Sequence, residues 1–153
     1  LLGVELIKKC IGEKNSSGDM YVVPILIALI IGRMGCFSMG VFEPTFGIET
    51  SFITGMDLGD GKLRHPVSLY EIVFCLVLLI IYFATKNLEL KNGDRFNWFM
   101  ICYFLYRFAI EFLKPYESLA LGLSSIHFSS LLIFTYYIPF FKRYLSKKQD
   151  YAK

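Results

Sequence analysis

A chain of 153 residues is long enough for one soluble domain, but 55% hydrophobic against 19% charged residues, with a mean hydropathy of +0.51, is a membrane composition. The formal net charge of +3 is spread along the chain. There is no basic helix or glycine-rich phosphate loop, which argues against nucleic-acid and nucleotide binding. Of the four cysteines, Cys36, Cys75 and Cys102 lie in apolar segments and Cys10 stands alone. Without a C-x-x-C spacing they read as small packing residues, and neither a metal site nor a cofactor is expected.

Residues 1–9, Leu-Leu-Gly-Val-Glu-Leu-Ile-Lys-Lys, read as the last turns of a helix leaving a membrane into a basic loop. Further helices are therefore expected upstream, with residues 1–153 as part of one membrane-embedded domain. Four apolar segments follow, near residues 21–42, 67–84, 96–113 and 126–141. Each approaches the roughly 20 residues that cross about 30 Å of hydrocarbon as a helix. The expected fold is therefore all-α and polytopic, with about four transmembrane helices. The fourth segment is the shortest and carries Ser129, Ser130 and Thr135. Residues 43–64, rich in Gly, Thr, Asp and Glu, form the main loop outside the membrane, a length often given to function but also compatible with a solvated connector.

Lysine and arginine set the orientation, because cytoplasmic segments collect positive charge. Lys8, Lys9, Lys14, Lys86, Lys91, Arg95, Lys142, Arg143, Lys147, Lys148 and Lys153 fall on one side, and only Lys62, Arg64 and Lys114 on the other. Both ends of the chain are thus expected in the cytoplasm and the 43–64 loop outside.

Four ionisable residues remain within the spans: Arg33 in the first, Glu71 in the second, Arg107 and Glu111 in the third. A charge at mid-bilayer costs at least about 2.5–3.5 kcal/mol, so such residues face the bundle interior, pair, and mark function. Counted along the helices, all four fall near the outer leaflet, beside His65 and Tyr70 at the start of the second span. Tyr103, Arg107 and Glu111, spaced i, i+4, i+8, stack along one helix face. Gly32 and Gly35 bracket Arg33 and suit close approach by a helix or a lipid headgroup. The competing reading is a set of ion pairs that only locks helices together.

Three ordered blocks carry a resemblance. They are Gly32-Arg33-Met34-Gly35-Cys36-Phe37-Ser38-Met39-Gly40, then Arg64-His65-Pro66-Val67-Ser68-Leu69-Tyr70-Glu71, then Tyr103 to Lys114 with Arg107 and Glu111. Together they resemble the G-R-x-G-N/C-F-x-x-G, R-H-P-x-Q-L-Y-E and Y-x-x-x-R-x-x-x-E-F-x-R signatures of the bacterial prolipoprotein diacylglyceryl transferases. The resemblance implies transfer of diacylglyceryl from phosphatidylglycerol to the lipobox cysteine thiol in a prolipoprotein signal peptide, releasing glycerol phosphate. It also implies a multi-pass protein of the bacterial cytoplasmic membrane, in contact with membrane lipids, whose site faces the outer leaflet.

On that basis Arg33, Arg107, Glu111 and Tyr103 are the expected catalytic residues, with Glu111 orienting Arg107. Gly32, Gly35, Gly40, His65, Tyr70 and Glu71 are the expected substrate-binding residues. The family's H-G-G-L stretch is absent from these residues; Leu1-Leu2-Gly3 reads as its remnant. Lys114 replaces the last arginine of the third block, Ser68 replaces glutamine, and Gly47 comes later than the family's next glycine. His127 stands where a Gly-Gln pair is frequent and reads as a packing residue.

The alternatives are a truncated or non-catalytic relative that binds anionic phospholipid, a structural membrane subunit, and a small channel. The inner halves of the spans are almost uniformly apolar, which argues against a conduction path.

Overall fold

The computed structural model describes Ile7, residues 10–12, 18–88, 90–115 and 124–150, the side chains of 144–150 excepted. The helix end expected at residues 1–9 lies outside the described residues but for Ile7, as do Lys8, Lys9, Lys14 and Lys153 of the charge count.

A 3-10 turn at Gly18–Tyr21 leads into helix α1, Val22–Met39. Pro24 sits in the first turn, where its missing N–H breaks no helical bond. The helix stops at Gly40, whose φ is +57° and whose N–H returns to the Phe37 carbonyl. A Cβ there would lie 2.2 Å from Leu58 O, so backbone conformation and space both require glycine.

Helix α2, Val67–Ala84, matches the second expected segment residue for residue. Thr85 closes it, its N–H and hydroxyl both donating to Ile81 O. Arg95 Nη2 then donates to the carbonyls of Thr85, Lys86 and Leu88, placing a cation at the negative end of the helix.

Helix α3, Asp94–Glu111, follows Gly93. Its exposed N-terminal amides are met by Asp19 from in front of α1, which accepts from Gly93 N and Phe96 N, both at 2.8 Å. This borrowed cap ties the start of α3 to the start of α1.

Helix α4 runs Ser125–Asp150. The segment expected to be the shortest is thus the longest helix among the described residues. Hydropathy falls after residue 141, but Lys, Arg, Leu and Gln are good helix formers, so the helix outlasts the apolar stretch. Pro139 lies within it.

The helices pair mainly as α1 with α2 and α3 with α4. Val22, Leu26, Cys75 and Phe99 form one buried cluster across α1, α2 and α3, and Ile101, Tyr137 and Phe140 form another between α3 and α4. Around these clusters the flanks stay apolar, with Ile27, Ile31 and Met34 on α1 and Val73, Leu76, Val77 and Ile80 on α2 all exposed. Two segments among the described residues, Gly18–Phe42 and Val67–Ala84, are long and apolar enough to cross a membrane. A mostly helical chain with such flanks has the build of an α-helical membrane protein.

The residues between α1 and α2 are an ordered strap. Strands β1, Met56–Asp57, and β2, Leu63–Arg64, pair antiparallel. Asp57 Oδ1 organises the turn between them by accepting from the amides of Gly59 and Gly61. The strap is stitched to the bundle by Val41 N to Leu58 O, Gly47 N to His65 O, and Ile48 N to Leu113 O. Gly47 is enclosed: a Cβ there would be 2.6 Å from His65 Cβ and 2.7 Å from His65 O. The late glycine is where the strap crosses the entry to α2.

Candidate active site

Glu71 lies in the first turns of α2 with 0% exposure. Its carboxylate takes three donors from two other helices. Oε2 meets Arg33 Nε of α1 at 2.9 Å and Arg107 Nη1 of α3 at 3.0 Å, while Oε1 accepts the Tyr103 hydroxyl at 2.7 Å. Tyr103 and Arg107 can reach the same carboxylate because a four-residue spacing puts them one above the other on α3. One anion between two guanidiniums leaves one positive charge in excess. Beyond Glu71, Arg33 makes one further hydrogen bond among the described residues, a weak one to Cys36 Sγ at 3.9 Å. Arg107 has no other hydrogen-bond partner among the described residues. The arginine side chains are 18% and 12% exposed.

Glu111 departs from expectation. It does not pair with Arg107 among the described residues: its Oε2 lies 3.2 Å from Lys114 Nζ, and its Oε1 accepts the Ser124 hydroxyl at 2.9 Å. The i, i+3 spacing brings Lys114 back over Glu111, and Glu71, arriving from another helix, takes the place at Arg107. Glu111 and Lys114 are 4% and 7% exposed, a second buried polar cluster beside the first. Burial first, and then the charge of Arg107, hold the Lys114 ammonium below the usual lysine range, with Glu111 opposing them.

His65 and Tyr70 form a third group. His65 Nδ1 is 3.1 Å from the Tyr70 hydroxyl, which is also bonded to the Thr54 hydroxyl of the strap. Tyr70 adjoins Glu71 in sequence but its hydroxyl serves this separate network. Below it an apolar groove of about 760 Å³ is lined by Ile53, Met56, Leu69, Val73 and Phe74 among others. Gly40 shapes the turn after α1. A Cβ on Gly32 or Gly35 would meet nothing within 4 Å, so no described protein atom exploits the close approach they allow.

The structure thus joins Arg33, Glu71, Tyr103 and Arg107, sets Glu111 with Lys114, and puts His65 at the end of the strap against Tyr70 in the first turn of α2. Sequence reasoning missed the buried Lys114–Glu111–Ser124 set. The i, i+3 spacing of Glu111 and Lys114 was the available signal, whereas nothing local marks Ser124.

A buried carboxylate shared by two arginines, inside a bundle with apolar flanks, defines an α-helical membrane protein organised around a cationic cluster. The chain belongs to the prolipoprotein diacylglyceryl transferase family, whose profile matches residues 13–141. It is similar to proteins named phosphatidylglycerol–prolipoprotein diacylglyceryl transferase. The one from Campylobacter lari is 32% identical over 141 residues, covering 84% of this chain and 49% of the relative. One from Dehalococcoides mccartyi is 31% identical over 142 residues, covering 88% and 54%. One from Campylobacter hominis is 33% identical over 136 residues, covering 81% and 46%. The chain spans about half the length of these relatives. No solved structure gives a significant match.

Proposed function

We propose that this chain carries the headgroup-binding half of a phosphatidylglycerol–prolipoprotein diacylglyceryl transferase. In the reaction the lipobox cysteine sulfur attacks the glyceryl carbon next to the phosphate. A carbon–sulfur bond forms, the carbon–oxygen bond breaks, the thiol gives up its proton, and glycerol phosphate leaves. The step needs cations where negative charge collects on the leaving phosphate.

The observation that carries the reading is the pair Arg33 and Arg107 around Glu71. A guanidinium binds phosphate oxygens through two parallel bonds and stays charged in apolar surroundings. Glu71 holds the two forks together and Tyr103 fixes its second oxygen. Their roles here, like those of Glu111, Gly32, Gly35, Gly40, His65 and Tyr70, rest on the motif resemblance and on this arrangement. The exposed apolar flanks and the lysine and arginine asymmetry support four crossings of the bacterial cytoplasmic membrane, one membrane domain, and a site facing the outer leaflet.

The test is donor dependence in the full-length protein. Reconstituted protein should move labelled diacylglyceryl from phosphatidylglycerol to a lipobox peptide, release glycerol phosphate in equal amount, and leave a peptide with serine for the cysteine unmodified. Lipid binding without transfer would favour the non-catalytic relative.

A further inference from the structure

We propose that His127 is a positioning residue that holds Glu111 through Ser124, an inference that rests on the transferase reading of the site. Ser124 immediately precedes α4, and its carbonyl accepts from His127 N at 3.0 Å. The His127 side chain reaches back, its Nδ1 accepting the Ser124 N–H at 3.1 Å. His127 therefore occupies the position, three residues past the cap, whose side chain normally returns to the cap amide.

The serine does not complete that reciprocal pattern. In the usual arrangement its hydroxyl oxygen would accept the backbone N–H of the third helical residue. Here the hydroxyl donates to Glu111 Oε1 at 2.9 Å, although it lies 3.1 Å from His127 Nδ1. The Ser124 amide already occupies the Nδ1 lone pair, so the hydroxyl proton goes to the carboxylate. The ring itself cannot swing. It is 3% exposed and packs on Phe108 and Phe112 of the α3 end, with centroids 4.9 and 4.5 Å away.

The consequence is a chain of fixed groups from α4 to Glu111: His127 sets the Ser124 backbone, the serine hydroxyl sets one oxygen of Glu111, and Lys114 faces the other at 3.2 Å. Glu111 stands one helical turn from Arg107 on the same helix. Ser124 gives its hydroxyl proton to Glu111 on α3, where a purely structural cap would turn its hydroxyl to its own helix.

The test uses the full-length protein in membranes, with turnover normalised to folded protein. Ser124→Ala should lower kcat about tenfold, as loss of one charge-assisted bond does when it acts in the transition state, and should also lower thermal stability, because the buried Glu111 carboxylate loses a donor. His127→Leu should lower both kcat and stability, while His127→Gln, whose amide oxygen can still accept the Ser124 N–H, should keep both. The double variant Ser124→Ala/His127→Leu should have the kcat of the worse single variant if both act through one chain. Unchanged kcat in Ser124→Ala, or multiplicative losses in the double variant, would overturn the proposal.

A second measurement does not need transfer. The Glu111 carboxylate band, identified by its disappearance in Glu111→Gln infrared difference spectra, should shift in Ser124→Ala and His127→Leu but not in His127→Gln. An unshifted band would overturn the positioning role. A band that shifts in these variants, together with a wild-type protein that transfers no lipid, would instead overturn the transferase reading and keep the Ser124 link.

Discussion

Replacing Glu71 with glutamine removes the only anion between Arg33 and Arg107 among the described residues while keeping the side chain's shape. The two nitrogens each lie within 3.0 Å of one carboxylate oxygen, so these nitrogens sit no more than about 6 Å apart. At an effective dielectric of about 20, two unit charges at that separation repel by about 3 kcal/mol. Removing one partner of a buried ion pair costs about 3–5 kcal/mol in proteins generally, and the two figures agree. Full-length Glu71→Gln in detergent should therefore unfold roughly 6–15 °C below the parent, taking about 2–3 °C per kcal/mol. Adding Arg33→Met should recover part of the loss, because the repulsion disappears with the second cation. The assay is fluorescence-detected size-exclusion chromatography after heating. A Glu71→Gln protein as stable as the parent, or a double variant worse than both singles, would refute the hub.

Gly40→Ala and Gly47→Ala should each destabilise the fold by more than about 1 kcal/mol, the first through its positive φ and Leu58 O, the second through His65. Gly32→Ala and Gly35→Ala should fold normally, since their sites are open; heat challenge of the four variants in membranes separates the pairs, and unfolding of Gly35→Ala would contradict the packing. Lys62 and Arg64 hold the carboxyls of Glu49 and Asp60 below the ordinary carboxylate range through their hydrogen bonds. These contacts contribute to the strap fully above the unfolded pKa values and are lost as pH falls through the depressed folded ones. Protease cutting at residues 49–64 should accelerate only in that acid window, and acceleration near neutral pH would contradict the sign. Finally, an impermeant thiol reagent on intact cells should modify a cysteine placed at Asp57 and spare one at Asn92; the reverse would overturn the orientation.

What was readable in the sequence were the features that depend on composition or on one helix. The uninterrupted apolar run fixed α2 at Val67–Ala84, and the i, i+4 spacing put Tyr103 and Arg107 on one face. The partner of Arg107 was misjudged because spacing along one helix favours Glu111, whereas Glu71 reaches it from another helix, 36 residues away in sequence. The full length of α4 could not be read from the apolar segment at 126–141, because hydropathy records lipid contact, not helix propensity. The borrowed Asp19 cap and the Ser124–Glu111 bond join residues distant in the chain, and no local pattern encodes them.

In the proposed reaction Arg33 and Arg107 bind phosphate as forks and not merely as charges. The direct measurement is turnover of Arg33→Lys and Arg107→Lys with phosphatidylglycerol and a lipobox peptide, per folded full-length protein. Lysine keeps the charge but loses the two-point grip, and a lost charge-assisted bond of about 1.5–3 kcal/mol lowers the rate by roughly one to two powers of ten. Both variants should show that loss with folded protein retained; near-normal turnover in both, tracking only the amount of folded protein, would rule out phosphate recognition by the two forks.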